Sequence, residues 1–64
     1  MITLQLTADE AEIVRDALET DLEGYEDCVR DARANSAKAE VEAFEEAANR
    51  IRLVIEKVTA ALSG

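Results

Sequence analysis

The sequence predicts an all-α fold, an antiparallel hairpin of two long helices over about 8–33 and 37–62 that follows a short extended segment. Three observations lead to this prediction. Apolar residues recur at three- and four-residue steps through both stretches, a capping box marks the start of the first helix, and no proline interrupts the chain. We treat residues 1–64 as a single domain, because a chain this short holds one domain at most.

Residues 2–6 alternate in polarity. Ile2, Leu4 and Leu6 are apolar, whereas Thr3 and Gln5 are polar, which is the period of a half-buried strand. A lone strand leaves its hydrogen bonds unmade. Two arrangements therefore stay open: two copies pair residues 2–6 across a two-fold axis, or the segment lies extended along the helices and covers Leu4 and Leu6.

Helix 1 is predicted to begin after Thr7, because Thr7 and Glu10 have the spacing of a capping box. We expect it to continue to about residue 33 through Gly24, since the apolar stripe keeps its phase there. The alternative is a break at Gly24, because a glycine within a helix costs about 1 kcal/mol relative to alanine. The stripe of helix 1 comprises Ala11, Val14, Leu18, Leu22, Tyr25, Val29 and Ala32.

Ala34-Asn35-Ser36 is the one turn signal after residue 7, and Asn35 or Ser36 is expected to cap helix 2. Apolar residues in helix 2 alternate between steps of four and three residues, a heptad pattern. Its stripe comprises Ala37, Val41, Phe44, Ala48, Ile51, Ile55, Val58 and Leu62, widened on one side by Ala47, Val54 and Ala61.

Two helices of equal length have no enclosed interior, and ordering so small a chain costs about as much as its burial returns. We therefore expect a homodimer in which two hairpins form a four-helix bundle. The residues expected in the core or at the dimer contact are Leu4, Leu6, Val14, Leu18, Leu22, Tyr25, Val29, Val41, Phe44, Ile51, Val54, Ile55, Val58 and Leu62.

Composition excludes most enzymatic chemistry. The chain has no histidine, one cysteine and two glycines, so a Ser-His-Asp triad, a zinc knuckle and a glycine-rich phosphate loop are all missing. We predict no catalytic residue, cofactor or metal ligand. No apolar run is long enough to cross a bilayer and no basic signal sequence opens the chain, so a cytoplasmic protein is expected.

Charge is concentrated on helix 1. The chain carries a net charge of −8, which disfavours binding to nucleic acid or to anionic membranes. Helix 1 holds ten acidic and three basic residues, and helix 2 holds five and four. One row of carboxylates, here called the acidic face, consists of Glu12, Asp16, Glu19, Glu23, Glu26 and Asp27.

The acidic face has three interpretations: a solvated surface, a surface that docks onto a basic protein, or a set of ligands for divalent metal. We favour a small adaptor or inhibitor in which the face binds a basic partner.

Arg50, Arg52 and Lys57 are expected to pair with acids of helix 1. Cys28 lies beside the stripe and is expected to be a small buried side chain.

The opening Ile2-Thr3-Leu4-Gln5-Leu6-Thr7, followed by a capped amphipathic helix, resembles the start of ribbon-helix-helix repressors and antitoxins. This resemblance covers about 20 residues. It implies a DNA-binding regulator as the alternative function, with paired strands that place Thr3 and Gln5 in the major groove. More loosely, the whole chain resembles small bacterial or phage proteins that are helical hairpins, a likeness that implies no function.

Overall fold

The computed structural model describes residues 1–63, which contain two helices and no strand. Helix α1 spans Ala8–Ala34 and helix α2 spans Lys38–Ser63. The two pack against each other along their length as a hairpin. The prediction of an all-α hairpin is therefore confirmed, with both helices ending one residue later than expected.

Helix α1 begins with the predicted capping box. The Glu10 amide donates to Thr7 Oγ1 over 3.1 Å, and the Thr7 amide donates to Glu10 Oε1 over 2.9 Å. These bonds favour the charged carboxylate, so the backbone amide of Thr7, and then its side chain, lower the pKa of Glu10. The helix continues through Gly24 without a break, and a Cβ added there would meet no atom within 4 Å.

The turn differs from the prediction that Asn35 or Ser36 caps the second helix. Ser36 has a φ of 56°, the left-handed conformation. The Ala37 amide donates to the Ala32 carbonyl at 2.9 Å, and the Ser36 amide donates to the Arg33 carbonyl at 3.1 Å, which together form a Schellman motif. Ser36 is thus used to end α1, and Ala37 precedes α2 and accepts the first bond of that helix, from Val41.

The hairpin measures 43 × 23 × 15 Å, so it is a single layer of helix. Among residues 1–63, only three small residues are buried: Ala11, Ala32 and Ala48, the last of them 1% exposed. Every larger residue on the two stripes keeps part of its surface in water. Those that are half-buried are Val14, Leu18, Leu22, Tyr25, Val29, Val41, Phe44, Ile51, Ile55, Val58 and Leu62.

Residues 2–6 form no strand in the single chain, and their pairing across a two-fold axis, which needs a second copy, stays a prediction. The physical reason is that residues 1–63 offer no second strand to receive the hydrogen bonds of this segment. Instead, Leu4 and Leu6 border a shared groove with Val58 and Leu62 near the end of α2. Leu4 remains 74% exposed and Leu6 40% exposed.

The lowered pKa of Glu10 predicts a pH-dependent contribution to stability. The stabilisation is present above the pKa of the unfolded chain and is lost as the pH falls through the lower pKa of the folded chain. Glu10→Gln lacks this titration. At fixed protein concentration, we expect the stability difference between wild type and Glu10→Gln, measured by urea unfolding, to shrink from pH 7 to pH 3. A constant difference would contradict the role of the charged carboxylate.

The left-handed Ser36 predicts a stabilising substitution. Glycine adopts this conformation without the steric cost of a Cβ, so Ser36→Gly should raise the free energy of unfolding by about 0.5–1 kcal/mol. Ser36→Ala keeps the Cβ and serves as the control, with little expected change. Thermal unfolding followed by circular dichroism measures both, and a loss of stability in Ser36→Gly would contradict the turn geometry.

Candidate functional site

The six carboxylates of the acidic face are all exposed along α1. Three of them have a basic neighbour. Glu26 lies 3.2 Å from Arg52, Asp27 lies 3.0 Å from Arg30, and Asp16 lies 3.9 Å from Arg15. The other three carboxylates, which make no ion pair within residues 1–63, are Glu12, Glu19 and Glu23.

One broad side of the hairpin, here called the ion-paired side, joins α1 to α2 through charged groups. Arg52 donates to Glu26 Oε2 at 3.2 Å and to Asn49 Oδ1 at 2.7 Å, and Arg33 pairs with Glu45. The two interhelical pairs are seven residues apart on each helix and run in opposite order. They therefore belong to one antiparallel register, although exposed pairs of this kind contribute little to stability.

The opposite broad side, here called the apolar side, contains a shallow groove. Its centre is formed by Leu18 and Tyr25 of α1 together with Ala47, Ile51 and Val54 of α2. The ring of Tyr25 packs on Phe44 with centroids 6.3 Å apart. Val54 is 45% exposed.

Charged side chains border this groove on both helices. Asp21 lies at its α1 edge, and Arg50 and Lys57 lie at its α2 edge. Sequence reasoning expected these two basic residues, with Arg52, to pair with acids of α1. Only Arg52 does so among the described residues, because Arg50 and Lys57 lie on the side of the hairpin away from Glu26.

The exposure of Cys28 corrects the expectation of a buried cysteine. Cys28 is adjacent to Val29 of the stripe, and a single neighbouring helix covers only the middle of that stripe. Cys28 follows Asp21 by seven residues, two turns of helix, so it lies on the same edge of α1 as Asp21. The only thiol of the chain is therefore beside the apolar side rather than in the core.

The carboxylates do not converge. Over residues 1–63, no three Asp, Glu or Cys side chains come close enough together to hold a metal ion. Neither described helix is apolar over a length that would cross a bilayer. The features that remain for a functional argument are the surfaces: the acidic face, the ion-paired side and the apolar side.

No family model matches this chain, and neither a curated protein nor a solved structure is significantly similar to it. The function must therefore be argued from the surfaces themselves.

Sequence reasoning missed the Arg33–Glu45 pair and the position of Asp21. The interhelical pairs did leave a signal, because Glu26 and Arg33 are seven residues apart on α1, and Glu45 and Arg52 are seven residues apart on α2. An antiparallel alignment that opposes each acid to a base would have found them. Asp21 left no such signal, since the rotation of each helix about its axis decides which side it borders.

Proposed function

We propose that this chain is a non-enzymatic protein-interaction module, an adaptor or inhibitor, that acts as a homodimeric helical bundle and binds a basic protein through the acidic face. The observation that carries the proposal is the incomplete core. The only buried hydrophobic side chains among residues 1–63 belong to three alanines. A hairpin with so little enclosed apolar surface is suited to assembly with another chain.

The acidic face supports a basic partner. Glu12, Glu19 and Glu23 are exposed and have no ion pair in the described chain. Like charges four residues apart on a helix, such as Glu19 and Glu23, destabilise it by about 0.2–0.5 kcal/mol per pair. A basic surface would relieve this repulsion, and it would also be attracted from a distance by the net charge of −8.

The charge also favours this function over the DNA-binding alternative. Ten of the fifteen acidic residues lie on helix 1, which would repel the phosphates of a duplex. The basic side chains of that helix, Arg15, Arg30 and Arg33, each pair with a carboxylate in the hairpin. A protein partner with basic side chains meets no such repulsion.

Charge reversal on the acidic face should abolish binding of the partner. We expect Glu19→Lys with Glu23→Lys to lose the basic proteins that the wild-type bait retains from a lysate of its source cells. The matched control is Glu42→Lys with Glu46→Lys, which makes the same charge change at the same four-residue spacing on exposed positions of α2.

Circular dichroism should show that all three baits are equally helical. Quantitative mass spectrometry of the retained proteins then compares them. Loss from the Glu19/Glu23 variant alone supports the acidic face as the binding surface. Equal retention by all three baits would mean that the acidic face only keeps α1 solvated.

A further inference from the structure

The hairpin exposes more surface than a compact chain of its mass. Its accessible area is 5184 Å², whereas a compact monomer of 7.0 kDa exposes about 4,000 Å². The excess of about 1,200 Å² exceeds the roughly 800 Å² that each partner buries in a stable interface of standard size. The surplus surface is therefore large enough to supply this chain's side of a stable interface with a second copy.

The two broad sides are unequal candidates for that contact. On the ion-paired side, a second copy would have to take the Arg52–Glu26 and Arg33–Glu45 pairs out of water, and the desolvation cost opposes such burial. On the apolar side, the centre of the groove is formed by Leu18, Tyr25 and uncharged residues of α2. Burial of this groove gains hydrophobic free energy and takes no ion pair out of water.

The edges of the apolar side are complementary in charge to a second copy. The α1 edge carries Asp21 and the α2 edge carries Arg50 and Lys57, and these basic groups make no ion pair within residues 1–63. A two-fold axis parallel to the helices would lay α1 of each copy on α2 of the other. The acidic edge of each copy would then lie against the basic edge of the other. Symmetry makes this contact occur twice in the dimer.

We infer that the apolar side, centred on Tyr25 and Val54, is the surface through which two copies of this chain assemble. The inference rests on the proposed homodimer and deepens it by assigning the interface. It also leaves the acidic face outside the interface, because none of its six carboxylates borders the groove of the apolar side and Glu26 lies on the ion-paired side.

A matched pair of arginine substitutions on α2 tests the assignment. Val54→Arg places a charge in the centre of the apolar side, and Asn49→Arg places the same side chain on the ion-paired side, beside Arg52. Sedimentation equilibrium should show that Val54→Arg raises the dimer dissociation constant by about a hundredfold or more, since each copy would bury an unpaired charge. Asn49→Arg should stay close to wild type.

The native thiol gives a second test that does not depend on the folding of Val54→Arg. Cys28 lies on the edge of the apolar side, so its alkylation by iodoacetamide should slow as the wild-type concentration rises through the dimerisation range. The control is Cys28→Ser with Glu19→Cys, which moves the thiol to the acidic face. Its alkylation should not depend on protein concentration.

The outcomes separate this inference from the proposed function. A wild-type dimer that persists in both arginine variants, or that leaves Cys28 unprotected, would overturn the assigned interface while the homodimer itself stands. A wild-type chain that stays monomeric at every concentration would overturn both the homodimer and the interface.

Discussion

Two helices packed side by side make a layer one helix thick, and among residues 1–63 every side chain larger than alanine keeps part of its surface in water. The thinnest dimension of this hairpin is 15 Å, and the most deeply buried residue between its helices is Ala48, which is almost fully buried. Small residues let the helices approach closely, but they return little hydrophobic free energy. Larger residues such as Phe44 and Ile51 stay half-buried, and the need to cover them governs the rest of our account.

The second organising feature is the separation of charge from apolar surface. Interhelical ion pairs occupy one broad side, through Arg33 and Arg52, and the groove around Tyr25 and Val54 occupies the other. None of the six carboxylates of the acidic face borders that groove. Self-association through one side is therefore compatible with binding of a different partner on the other, which is the division of labour that an adaptor needs.

The sequence was informative where a local rule determines the structure. The Thr7–Glu10 capping box identified the start of α1, and the stripe that continues in phase past Gly24 indicated an unbroken helix. Tertiary geometry limited the rest. The strand expected at residues 2–6 needs a partner outside the local sequence, the left-handed Ser36 depends on closing the turn, and the exposure of Cys28 depends on how much of α1 the second helix covers.

The claim that a second copy completes the core is tested most directly by the absolute mass of the wild-type chain in solution. Static light scattering across a hundredfold range of concentration measures it without a shape assumption, and circular dichroism on the same samples reports folding. We expect a helical species at twice the chain mass of 7.0 kDa. A helical species that keeps the mass of one chain over the whole range would contradict it.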